Sequence, residues 1–68
     1  MTDCVLLRQR IDDSGISLSF IAEKMQISRE TLYNKLCGKS EFKVSEVSAL
    51  AKLLHLTPAE VDKIFFAR

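Results

Sequence analysis

Few residues of this 68-residue chain are equipped to make or break bonds. It holds one histidine, His55, and two cysteines, Cys4 and Cys37. One His and two distant Cys cannot complete a four-ligand zinc site. His55 follows Leu54 where a helix is expected to end, with no catalytic partner near it, so its role is to meet the negative end of a helix dipole. The cysteines belong to no CxxC pair, which reads as two reduced thiols rather than a disulfide scaffold or a zinc finger. Cys37, in the last turn of an expected helix, reads as an inert thiol. With no glycine-rich phosphate loop and no nucleophile elbow, the expectation is a protein that is not an enzyme and carries no cofactor and no metal.

What remains is charge. Ten Lys and Arg against nine Asp and Glu give a net charge of only +1. The distribution is uneven, however: Lys24, Arg29, Lys35, Lys39 and Lys43 fall between positions 24 and 43, opposed there only by Glu30 and Glu41. A local cationic patch can attract phosphate on a molecule that is nearly neutral overall. A chain this short is one domain, residues 1–68, with no space for a deep cleft beside its core. Its longest apolar runs, such as Cys4 to Leu7, are four residues, far below a membrane span or signal-peptide core. The expected location is the cytoplasm, with no membrane partner.

Five short segments with helical periodicity must position these groups. Thr2 or Asp3 caps a first helix with an inward stripe of Cys4, Leu7 and Ile11. Gly15 ends it, with Ile16 supplying the apolar contact of a Schellman closure. Ser17 caps a second helix whose expected buried positions are Phe20, Ile21 and Met25, with Ala22 small among them. After a break at Gln26 and Ile27, Ser28 caps a third helix with Leu32 and Leu36 inward and Arg29, Glu30, Tyr33 and Asn34 outward. Gly38 closes it. Val44, Val47, Leu50, Ala51 and Leu54 give the fourth helix the strongest apolar face in the chain. Thr57, Pro58 and Glu60 open the fifth with a capping box, before Val61, Ile64 and Phe65. No segment alternates like a strand, so the expected fold is a compact all-α, five-helix domain.

Ser17 to Lys39 is the informative stretch. A short helix with a small residue, a tight break and a second capped helix with a polar outer face is an arrangement that presents one helix to a DNA major groove. Ala22 allows close crossing, and Ile21, Met25, Ile27 and Leu32 form the wedge that sets the angle.

On those residues, Ile21, Ala22, Ile27, Ser28, Arg29, Thr31 and Leu32, the segment at about 17–38 resembles the helix-turn-helix of the Cro and phage-repressor family. Beyond it, Asn34-Lys35-Leu36, Gly38-Lys39, the Phe42 to Leu56 helix and Ile64-Phe65-Phe66 are similar to short single-domain phage-encoded regulators. Two departures stand out. The family's turn glycine is Gln26 here, where a left-handed backbone would cost about 1–2 kcal/mol. An aliphatic residue usually stands three places after the Leu32 position and a charge four places after; here these are Lys35 and Leu36, so a slight rotation of the third helix is expected.

The resemblance implies a sequence-specific regulator of transcription that binds double-stranded DNA, a repressor of phage or mobile-element type acting at the nucleoid of a bacterial or phage-infected cell. It puts Arg29, Glu30 and Asn34 at base-reading positions, with Thr31 and Tyr33 beside them. Arg pairs with guanine O6 and N7, Asn with adenine N6 and N7, and Glu accepts from cytosine N4. Phosphate contacts are expected from the helix starts capped by Ser17 and Ser28 and from Lys35, Lys39, Ser40 and Lys43. Lys35 is expected to bury its methylenes and leave its ammonium at the edge of the DNA surface. Phe65 and Phe66 point about 100° apart on a helix, which leaves Phe66 as a candidate homodimer contact. The near-neutral charge keeps a second reading open, a modulator of the same fold that binds a partner repressor instead of DNA.

Overall fold

The structure is a computed structural model that describes residues 1–66. Among the described residues five α-helices follow one another: α1 Cys4–Ser14, α2 Leu18–Met25, α3 Arg29–Leu36, α4 Val44–Leu53 and α5 Pro58–Phe65. No strand occurs among the described residues. Four of the helices start on a side-chain oxygen that accepts the N–H three residues on: Asp3 to Leu6, Ser17 to Phe20, Ser28 to Thr31 and Thr57 to Glu60. Each such bond satisfies a donor that the helix itself cannot pair, a contribution of about 1 kcal/mol. At α5 the exchange is reciprocal, because Glu60 Oε1 accepts from Thr57 N–H at 3.0 Å. At α4 the N-cap is Lys43, which has no acceptor to offer; Glu46 Oε1 takes the Lys43 N–H at 2.8 Å instead.

Helix ends show which residues the backbone tolerates in left-handed geometry. Gly38 adopts φ 82, with its N–H on Lys35 O and that of Lys39 on Asn34 O, a Schellman closure. Gln26 at φ 59 and His55 at φ 53 make the same closure without glycine, through Ile27 N–H to Ala22 O and Leu56 N–H to Ala51 O, respectively. His55 thus ends α4 with its backbone, its side chain exposed. At Gly15 (φ 74) the closure runs through a hydroxyl: Ser14 Oγ donates to Ile11 O and accepts from Ile16 N–H.

Leu7, Ile21, Leu32, Leu50 and Ile64, one from each helix, are fully buried, with Ile11, Ala22, Leu36 and Phe65 completing the core. Burial of each large side chain contributes about 1.5–3 kcal/mol, and this is what holds eight-residue helices that would not persist alone. α2 packs on α3 and α4, α1 on α3 and α5, and α4 on α5. α1 and α5 are tied together, since Asp3 N–H donates to Ile64 O at 2.6 Å and Arg10 Nε lies 3.2 Å from Glu60 Oε2.

Two expected core positions face out. Val44, the first residue of α4, is 81% exposed. Phe20 is 41% exposed, its ring lying 5.4 Å from the Lys24 ammonium one turn on. The inward places of α2 are held by Ile21 and Ala22. Of the adjacent phenylalanines, Phe65 is buried and Phe66 is 57% exposed.

Candidate nucleic-acid interface

The outer side of α3 is uncovered. Arg29, Glu30, Thr31 and Tyr33 are exposed and Asn34 is half-buried, while Leu32 and Leu36 anchor the opposite side. The break before α3 is what aims it. Gln26 reverses the chain, its own N–H on Glu23 O at 3.1 Å and the next on Ala22 O at 3.0 Å, and the Ser28 cap starts α3 two residues later. Ala22, 3% exposed, is the small residue at the point where α2 meets the rest of the core.

The start of α3 carries a hydroxyl pair, with Ser28 Oγ accepting from Thr31 N–H and donating to Thr31 Oγ1 at 2.8 Å. The Thr31 hydroxyl keeps its own proton for an outside acceptor. Ser17, also exposed, starts α2. The first two N–H groups of each of these helices have no intrahelical partner, the usual condition of a helix start. Lys39, Ser40 and Lys43 are exposed on the connection between α3 and α4.

Lys35 is the correction. Its ammonium does not reach the outer surface: the residue is 7% exposed, and Nζ lies 3.2 Å from Glu46 Oε1 and 3.0 Å from Glu41 O. Three places after Leu32, position 35 falls on the inner side of α3 along with Leu36, so Lys35 occupies the place expected for an aliphatic residue. The buried charge is tolerated because a carboxylate and a carbonyl meet it, and the Phe42 ring lies 6.0 Å away. An ammonium so engaged is not available to a phosphate.

Glu46 is a residue that the sequence alone does not single out. Its signal was a Glu three residues after a helix start, obscured because that start is a lysine rather than Ser, Thr, Asp or Asn. Both cysteines are free, with Cys37 exposed and Cys4 partly covered where its thiol meets Lys35 O at 3.7 Å. Desolvation, followed by the nearby Glu41, pushes the Cys4 thiol above its ordinary value. Glu60 is held below the usual carboxylate value, chiefly by the Thr57 backbone N–H and further by Arg10.

Among the described residues no group of His, Cys, Asp and Glu is arranged to hold a metal ion, and no helix is long and apolar enough to cross a membrane. No curated protein and no solved structure matches the chain. A family model does: the Cro/C1-type HTH DNA-binding domain matches residues 6–64, which includes all five helices except the ends of α1 and α5. With the all-α architecture, the tight break at Gln26 and the uncovered α3, the chain belongs to the Cro/C1-type helix-turn-helix family of DNA-binding domains.

Proposed function

We propose that this protein is a sequence-specific regulator of transcription that lays α3 in the major groove of double-stranded DNA, a Cro-like repressor of a phage or other mobile element. The observation that carries the reading is the exposed row Arg29, Glu30, Thr31 and Tyr33 on a helix whose other side is fixed by Leu32 and Leu36. Arg29 and Asn34 read base edges, with Glu30, Thr31 and Tyr33 alongside. Ser17, Ser28, Lys39, Ser40 and Lys43 contact phosphates and set the register without reading sequence. The protein acts by occupancy and performs no chemistry. It binds as a homodimer through the α4–α5 face, where exposed Phe66 borders a mostly apolar groove of about 300 Å³ lined by Val47, Ser48, Ala51, Pro58, Val61 and Asp62.

Selection of bound duplexes from a random pool, repeated with Arg29→Ala and Asn34→Ala, tests the reading. The expected result is a half-site that those substitutions alter. No enrichment at low salt would overturn it and favour the modulator of a partner repressor, which the +1 net charge and the groove beside Phe66 support. Salt separates the two readings. DNA binding weakens with a slope of about −0.9 per phosphate neutralised, whereas an apolar protein contact responds little.

A further inference from the structure

The buried polar cluster under α3 is out of place in a core this small. Lys35 and Glu46 have side-chain exposures of 9% and 11% and lie 3.2 Å apart. Replacing the charges of a buried ion pair by an apolar pair of similar volume is often neutral or stabilising. What an apolar pair would not do is direct the chain. The Lys35 ammonium, rooted in α3, grips Glu46 of α4 and the Glu41 carbonyl of the connecting segment. The same Glu46 oxygen also holds the Lys43 N–H at 2.8 Å. Phe42, whose ring lies 6.0 Å from the ammonium, stands edge-on to buried Phe65, centroids 5.6 Å apart. One charged group thereby joins the helix bearing Arg29 and Asn34 to the segment bearing Lys39, Ser40 and Lys43.

Resting on the DNA-binding reading above, we infer that Lys35 and Glu46 are positioning residues that set α3 relative to the phosphate-contacting segment 39–43. Neither touches DNA. The ammonium meets two fixed partners, the Glu41 carbonyl at 3.0 Å and Glu46 Oε1 at 3.2 Å, so the clamp fixes where the base-reading side chains stand once the backbone anchors are seated on phosphates. An apolar replacement packs without direction and lets that relation vary.

The test pairs a stability measurement with a recognition measurement. Lys35→Met alone leaves a buried carboxylate, so the informative variant is Lys35→Met with Glu46→Leu. Because Glu46→Leu also removes the acceptor of the Lys43 N–H, the urea midpoint of this variant is expected to fall modestly while the fold is retained. Its preference for the duplex selected by the unchanged protein, over a scrambled duplex of equal length, is expected to fall about tenfold or more, the effect of misplacing one base contact. Affinity for the scrambled duplex and its salt slope should not change, a split that a merely structural role would not produce. If the double variant does not fold, Glu46→Gln replaces the charged acceptor by a weaker neutral one of the same shape, and discrimination should fall about threefold. Retained discrimination in the folded variants overturns the inference while leaving the DNA-binding reading intact. If the unchanged protein itself shows no preference between duplexes, the reading of function fails and the inference falls with it.

Discussion

Gln26 offers a sharp test of the physics of this fold. It turns the chain between α2 and α3 at φ 59 and ψ 40, a left-handed conformation in which a side chain crowds the following carbonyl. The cost is about 1–2 kcal/mol, and the closure bonds that hold the turn use backbone groups alone. The Gln26 side chain is exposed and makes no hydrogen bond, so replacing it removes no interaction of consequence. Gln26→Gly should therefore recover the strain, less about 0.5–1 kcal/mol for the wider freedom of glycine in the unfolded chain. The net gain is about 1 kcal/mol. Stability for a domain of this length is about 3–10 kcal/mol, so the gain is large enough to read as a rise of about 4–8 °C in thermal midpoint. His55→Gly, at φ 53, should behave alike, and the two should add because they close different helices. Gln26→Ala is the control, since it trims the side chain without relieving φ. Gly38→Ala should move the other way: its Cβ would sit an ordinary 3.9 Å from Cys4 Sγ, so any loss reflects the φ of 82. Thermal melts of the four variants decide the matter. If Gln26→Gly proves no more stable than Gln26→Ala, the turn is not strained and the argument is wrong.

Other consequences follow from named contacts. Lys39→Ala should weaken binding to all duplexes alike and reduce the salt slope by about 1, whereas Arg29→Ala should cost about 1–3 kcal/mol on the selected site and relax one base position; titrations at several salt concentrations separate them. Because Glu60 titrates lower in the folded than in the unfolded chain, its contribution is present above the ordinary value of 4.5 and lost as pH falls through the folded value. Urea midpoints measured down this range should decline less steeply for Glu60→Gln. Cys4 has the opposite linkage. Its raised value means that its contribution is whole below the ordinary 9.0 and lost as pH rises through the folded value, a loss that Cys4→Ala should abolish. In the native protein a thiol-specific disulfide reagent should label exposed Cys37 promptly and Cys4 only as the N-terminus opens, with mass spectrometry assigning the sites. Leu32→Ala, at a fully buried position, should cost about 2–5 kcal/mol and unfold much of the population, as circular dichroism would show.

Five helices and most of their ends are legible in the order of residues alone, although α4, Val44–Leu53, is shorter at both ends than the expected Phe42 to Leu56. Capping residues and glycines act within three or four positions, and an apolar stripe at steps of three and four needs no knowledge of its partner. Ser17, Ser28 and the Thr57–Glu60 box were legible for that reason, as was the outward row beginning at Arg29. Which apolar residues lie inside depends on how the helices pack. Phe20 and Val44 have core chemistry, but packing leaves them 41% and 81% exposed. It alone also decided the fate of Lys35. A lysine on a helix reads as a surface charge until another helix brings a carboxylate to it, and Glu46 stands eleven residues away on α4. Periodicity records which way a side chain leaves its own helix, whereas burial of a charge depends on what meets it there, and that is fixed only when the helices pack.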